Sequence, residues 1–185
     1  MKKTFQIILL SGLMILSVNT YAKGQSGIYL TLSDYTNKKL TQGAKIHPNN
    51  SVINTPYITI TDNGKKQKLK KSEVFGYVDD KSNVYRFYKN EAYQIAEAGN
   101  IMVYVQKERN SQTKEYKVIS HYYFSTMAGS EIIPLTLDNL KNVYRSNNRF
   151  LDLVDQFFSK SDVTAYDNIH NTYKVNYVFG KAMKE

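Results

Sequence analysis

The chain has no cysteine, no tryptophan, three prolines and three histidines among its 185 residues. Without cysteine there is no disulfide to staple a small core, and no thiol to accept a lipid behind a cleaved leader. His47, His121 and His170 stand in three separate regions with no His-x-His or His-x-x-x-His spacing, so the ligand pattern of a metal site is missing. No Gly-x-Ser-x-Gly, phosphate loop or dinucleotide fingerprint occurs. No catalytic residue, metal ligand or cofactor is therefore assigned. Acidic residues are also few, 16 against 25 Lys and Arg, giving a net charge of +9. A basic balance of that size favours anionic partners.

Two acidic pairs, Asp79-Asp80 and Asp152 with Asp155, invite a general acid and base reading. That chemistry needs two carboxyl groups held about 5 to 9 Å apart across a cleft, which adjacency in sequence does not supply. A turn for the first pair and a solvated helix face for the second are the plainer readings. His121 alternates with Tyr122 in a strand pattern, and His170 follows Asp167 by three residues, where a local contact accounts for the pair.

At the N-terminus, Lys2 and Lys3 precede an apolar run from Ile7 to Val18, and Thr20-Tyr21-Ala22 has the small-x-small form of a cleavage site. Residues 1–22 read as a signal peptide. The run is broken by Ser11, Gly12 and Ser17 and is shorter than the ~20 apolar residues a membrane span requires. Export to the periplasm or the medium is expected, with residues 23–185 as one β-rich domain without a transmembrane anchor. Loss of the two leader lysines leaves about +7 of the +9 charge. Nucleic acid is not expected as a partner, because export removes the protein from most of it.

What is abundant is tyrosine, 16 residues, with 8 phenylalanines. Tyrosine joins a large apolar body to a hydroxyl and suits half-buried sheet faces. The pattern from Pro56 to Ser125 reads as one antiparallel β-meander. Gly27 to Leu32 alternates as a first strand, with Ile28, Leu30 and Leu32 on one face. Ser33 to Thr55 reads as a long connection with turn chemistry at His47-Pro48-Asn49-Asn50 and strand fragments at Lys39 to Leu40 and Lys45 to Ile46. Tyr57 to Thr61, Asp62-Asn63-Gly64 and the strand from Lys65 form a hairpin, since Asn-Gly supplies the positive φ angles of a tight turn. The returning strand is expected to run to Val78, with Gly76 marking a bulge or the close approach of another backbone. Val84 to Tyr88, Tyr93 to Glu97, Ile101 to Val105 and Tyr116 to Ser125 follow, separated by polar turns.

The last strand carries aromatics on both sides, so the sheet must be covered on both faces or curl on itself. Helices come next. Thr136 can cap Leu137 to Tyr144, and Asn148 can start a helix striped by Phe150, Leu151, Val154, Phe157 and Phe158. Phe157→Ala on that stripe is expected to cost ~3 to 5 kcal/mol. A third helix from Asp162 would carry Tyr166, Ile169, Tyr173 and Tyr177, although Tyr173, Val175, Tyr177 and Phe179 also alternate as in a strand. The expected fold is α+β: a mostly antiparallel β-meander, a curled sheet or partial barrel, followed by two or three C-terminal helices.

Three stretches together carry a resemblance: Gly27-Ile28-Tyr29-Leu30-Thr31 with Asp34-Tyr35; Phe75-Gly76-Tyr77 with Tyr85-Arg86-Phe87-Tyr88; and Ala165-Tyr166-Asp167 with His170 and Tyr173-Lys174-Val175-Asn176. Through them nearly all of the chain beyond the leader resembles a family of uncharacterised exported proteins of Gram-negative bacteria. The resemblance implies export and a single domain, and no activity or cofactor.

Three function classes follow. An envelope or extracellular interaction module, binding a protein or an anionic glycan without catalysis, ranks first. A carrier holding a small ligand in the curled sheet is the alternative, and an enzyme of unidentified type ranks last. The binding residues favoured for a polyanion are Lys66, Lys68 and Lys70, which share one face of a strand. The same row also has a plain structural use, since lysines on an exposed edge discourage pairing between sheets.

Overall fold

The computed structural model describes residues 26–42, 45–46, 55–62, 64–110, 117–159 and 162–184. The expected signal peptide, the turn expected at His47 to Asn50, Asn63 and Tyr116 lie outside the described residues. The elements in order are β1 (Gly27–Tyr29), α1 (Leu32–Thr36), β2 (Thr41–Gln42), β3 (Lys45–Ile46), β4 (Tyr57–Asp62) and β5 (Lys65–Lys70). After a 3-10 turn at Lys71–Glu73 come β6 (Gly76–Val78), β7 (Val84–Tyr88), β8 (Glu91–Ala98), β9 (Met102–Asn110), β10 (Lys117–Ser125) and β11 (Ile133–Pro134). The chain ends with α2 (Leu137–Val143), α3 (Asn148–Phe158), β12 (Tyr166–Asp167), β13 (Thr172–Tyr173) and α4 (Lys174–Ala182).

The fold is α+β. An open eight-stranded sheet has the order β11-β10-β9-β8-β7-β6-β1-β2, and every pairing in it is antiparallel. Strands β6 to β10 are the meander. The first hairpin forms as expected, with Tyr57 opposite Lys70 and Asp62 opposite Lys65, and Gly64 takes a φ of 78° at the turn.

That hairpin is not part of the meander. Together with β3 it makes a separate three-stranded sheet, order β3-β4-β5, so the unbroken run from Pro56 to Ser125 is two sheets. The strand expected from Lys65 to Val78 breaks because the backbone N–H of Lys71 closes the hairpin on Pro56 O at 2.8 Å. Beyond it the 3-10 turn redirects the chain to β6. At Gly76 a Cβ would lie 2.0 Å from the carbonyl oxygen of Tyr85, so the close approach expected there is what only glycine permits.

Three other expectations are corrected. The first strand stops at Tyr29 because Thr31 and Asp34 form a capping box: Asp34 N donates to Thr31 Oγ1 at 3.0 Å and Thr31 N donates to Asp34 Oδ2 at 2.9 Å. This reciprocal bonding starts α1 and overrides the alternation through Leu32. Beyond α1, β2 begins at Thr41, past the fragment expected at Lys39 to Leu40. At the C-terminal end the helix begins at Lys174 rather than Asp162. Asp167 Oδ1 accepts from the N–H of Ile169 and of His170, and Asn171 has a φ of 57°, so the chain turns back and pairs β12 with β13.

The two faces of the large sheet are covered differently. One face buries Val103 and Phe124 under Leu140, Phe150, Val154, Phe158, Val175 and Val178 of the helices. Farther along, on the same side of the pleat, Tyr77 and Phe87 pack on Ile58 and Ile60 of the small sheet. The opposite face carries Arg86, Tyr93, Met102 and Tyr104, covered by Tyr35 of α1, Ala128 and Ile132. These coverings are single residues on short segments rather than whole elements. Both faces are thus closed, by helices and strands on one and by a helical turn and a loop on the other.

Candidate functional site

On β5 the three lysines stand as the strand pattern requires. Ile58 and Ile60 of β4 are buried, and Leu69 and Gln67 sit opposite them on the inward side. Lys66, Lys68 and Lys70, opposite Thr61, Thr59 and Tyr57, therefore share the outward side, and all three are exposed. β5 is an edge of the three-stranded sheet. Neither Lys66 nor Lys68 forms an ion pair among the described residues, whereas Lys70 Nζ meets Glu73 Oε1 at 3.0 Å.

Glu73 leads into a cleft of about 450 Å³ between the 3-10 turn, the Leu30 to Leu32 segment, the β7 to β8 turn and Gly129. Its lining includes Lys71, Arg86 and Lys89 with the apolar Leu30, Leu32 and Phe75. Lys71 and Arg86 are only 2% and 5% exposed. Lys71 completes its turn inward: Nζ donates to Asn90 O at 2.8 Å and lies 5.8 Å from the centre of the Phe87 ring. Burial pushes its ammonium below the usual lysine range, and the Glu91 charge opposes that shift.

Arg86 owes its position to alternation in β7. Tyr85 and Phe87 face the small sheet, so Arg86 and Tyr88 must face the other way. The guanidinium lies 5.8 Å from the Phe75 ring centre and 5.6 Å from that of Tyr88, within cation–π reach of both. Its Nη1 donates to Tyr104 Oη at 3.1 Å; Tyr104 Oη and Ser125 Oγ are 2.9 Å apart, and Ser125 Oγ donates to Met127 O at 2.7 Å. No carboxylate pairs with Arg86 among the described residues. No buried side-chain nitrogen or oxygen among the described residues lacks a hydrogen-bond partner. The result is a buried cation in the lining of the cleft, bonded to a phenol and lying near two rings.

At the rim, Tyr88 Oη donates to Glu131 Oε1 at 3.0 Å and Lys89 Nζ meets the same oxygen at 3.3 Å. These bonds hold the Glu131 carboxyl below its usual range, the tyrosine bond first. Within the covering layer, Tyr35 stacks on Phe75 at 4.7 Å, and burial raises its phenol above the ordinary value.

The remaining groups take structural places. His121 Nε2 lies 3.2 Å from Glu108 Oε2 on exposed parts of β9 and β10, and His121 lines a second cleft together with Tyr123, Pro134, Asp162 and Thr164. His170 Nδ1 lies 2.8 Å from Asp167 Oδ2, and its ring stacks on Tyr177 at 4.0 Å. The expected local contact is present, on a turn instead of a helix. Asp79 binds the N–H groups of Lys81 and Asn83 and so closes its turn, and Asp155 pairs with Lys141. Among the described residues no three His, Asp or Glu side chains gather as metal ligands, and no helix is long and apolar enough to cross a membrane.

Sequence reasoning placed the lysine row and missed Arg86. The signal was there: a lone arginine in Tyr85-Arg86-Phe87-Tyr88, within a sheet already expected to be apolar on both faces, must lie on a covered face. Comparison of the chain with protein-family models, with curated proteins and with solved structures returns no match.

Proposed function

We propose that this is an exported, non-enzymatic interaction module of the envelope or cell exterior, which binds an anionic partner, protein or glycan, on the basic surface running from β5 to the Arg86 cleft. Membership of the exported family suggested by its sequence belongs to the same proposal. The observation that carries it is that Lys66, Lys68 and Arg86 meet no carboxylate of the described protein, while Lys70 links the row to the cleft through Glu73. A cation left without a counter-ion is available to one on another molecule. The carrier reading is less well supported, because Tyr77, Phe87, Val103 and Phe124 fill one face of the sheet and Tyr104 the other, where a ligand cavity would lie.

The test is retention on an immobilised acidic polysaccharide such as polygalacturonate. Retention should fall steeply once added salt shortens the Debye length below ~10 Å. Lys66→Glu with Lys68→Glu should abolish it while the circular dichroism spectrum stays unchanged. Retention that ignores both salt and the double substitution defeats the proposal.

A further inference from the structure

The cleft has a chemistry narrower than that of a basic patch. We infer that it receives the C-terminal carboxylate of a polypeptide whose last residue is apolar. This rests on the reading of the protein as an anion-binding module and names the partner at that site.

The charge fits a single anion. Arg86 brings a planar guanidinium, near the Phe75 and Tyr88 rings, to the lining of the cleft, and a guanidinium can give a carboxylate two parallel hydrogen bonds. Lys71 already donates a hydrogen bond to Asn90 O, and Lys89 is engaged by Glu131, so the remaining cations are less ready for a second negative charge. Glu73 in the lining repels one. A dianion or an acidic penultimate residue is thereby disfavoured, and a terminal carboxylate is accommodated.

The walls fit what a chain end carries. Leu30 and Leu32 are 44% and 42% exposed, and both line the cleft beside Arg86. Leu32 lies against Gly129, where an added Cβ would come within 2.9 Å of Leu32 Cδ2, so the leucine is set close over the loop backbone. Ser72 and Asn90 in the same lining supply polar groups that an amide backbone can satisfy and an alkyl tail cannot. A volume of about 450 Å³ lies within the ~300 to 1,000 Å³ of ordinary ligand clefts.

The experiment is an NMR titration of isotope-labelled protein with acetyl-Ala-Ala-Leu bearing a free carboxylate, its C-terminal amide, acetyl-Ala-Ala-Gly and hexanoate. The free acid should shift the amide signals of Phe75, Arg86 and Tyr88 and bind about 10- to 100-fold more tightly than the amide, the range a charge-assisted pair supplies. The glycine-ended peptide should bind roughly ten-fold more weakly than the leucine-ended one, since it leaves Leu30 and Leu32 uncovered. Arg86→Lys keeps the charge and loses the two-pronged geometry, so it should weaken the free acid at least about ten-fold. Leu32→Ser, at a half-exposed position that leaves the core untouched, should erase the difference between the leucine and glycine peptides. Equal binding of acid and amide overturns the inference, as does parent-like binding by folded Arg86→Lys. Hexanoate binding as tightly as the peptide overturns the polypeptide source. Peptides that fail while polygalacturonate retention persists remove this inference alone; lost retention with peptide binding intact removes the polyanion reading alone.

Discussion

Asn176 is a side chain whose removal should be felt far along the chain from its own position. It lies in α4, 7% exposed, and its amide meets both backbone groups of Ile101: Ile101 N donates to Oδ1 at 2.8 Å and Nδ2 donates to Ile101 O at 2.9 Å. Ile101 sits in the turn between β8 and β9 and is fully buried, so water does not readily replace the amide. Orphaning a buried backbone donor or acceptor costs about 1–3 kcal/mol, and two are orphaned here. Alanine's better helix propensity returns roughly 0.5 kcal/mol. Asn176→Ala should therefore lose about 1.5–5.5 kcal/mol, measured by urea unfolding followed by far-ultraviolet circular dichroism. Gly99 supplies an internal check, because a Cβ there would lie 2.6 Å from Nδ2 and 2.9 Å from Oδ1 of Asn176. Gly99→Ala should displace the amide in the parent and cost much less once Asn176 is alanine, giving a coupling of at least about 1 kcal/mol in the double-mutant cycle. A loss below about 0.5 kcal/mol for Asn176→Ala, or an additive cycle, would show that the clamp does not hold α4 to the sheet.

Two further expectations concern the core and its phenols. Phe150 is fully buried with ring edges from Tyr144 at 5.1 Å and Phe179 at 5.0 Å, so Phe150→Ala should cost about 3–5 kcal/mol; half-buried Phe157, beside Tyr177 and under Lys181, should cost only about 1–2 kcal/mol, and equal losses in urea melts would contradict this ranking. Burial pushes Tyr144 and Tyr173 up to about 12, so above pH ~10 the unfolded chain sheds protons that the folded chain keeps; stability should fall between pH ~10 and ~12, less steeply in Tyr144→Phe with Tyr173→Phe, and an unchanged slope in that variant would refute the assignment.

The parts of the fold legible in the sequence are those fixed by neighbours in the chain. Asn63-Gly64 sets a hairpin, Thr136 caps α2 by accepting from Asn139 N at 3.2 Å, and the Phe150, Val154, Phe158 spacing buries one side of α3. Asn148 starts α3 as expected, and Asn147 before it supplies the cap, its Oδ1 accepting from Phe150 N at 3.0 Å. The Thr31-x-x-Asp34 box was legible by the same standard but was masked by the alternation from Ile28 to Leu32. What could not be read is the division into two sheets. Lys65 to Val78 has strand composition at both ends, and the break at Lys71 depends on Pro56 O and Asn90 O, partners far along the chain. The Phe157 expectation overshot for a similar reason: a stripe gives the side of a helix, and only the neighbouring helices decide how deep each position goes.

The same distinction separates the two basic surfaces. The lysine row follows from period-two alternation in one strand, so sequence alone places Lys66, Lys68 and Lys70 together. Arg86 becomes a site only because Phe75 arrives from the strand switch, Tyr104 from β9 and Leu32 from α1. Alternation puts its charge on a face that is apolar elsewhere. On the opposite face the helices and the small sheet pack as whole elements and seal the surface. Over Arg86 the covering is one helical turn, a loop and scattered rings, enough to bury the stem and too thin to supply a counter-ion. Burying a cation without its anion is costly, and the Tyr104 hydroxyl with the nearby Phe75 and Tyr88 rings lowers that cost in the free protein. A carboxylate entering the cleft meets a guanidinium already oriented and partly desolvated, so little reorganisation offsets the new hydrogen bonds.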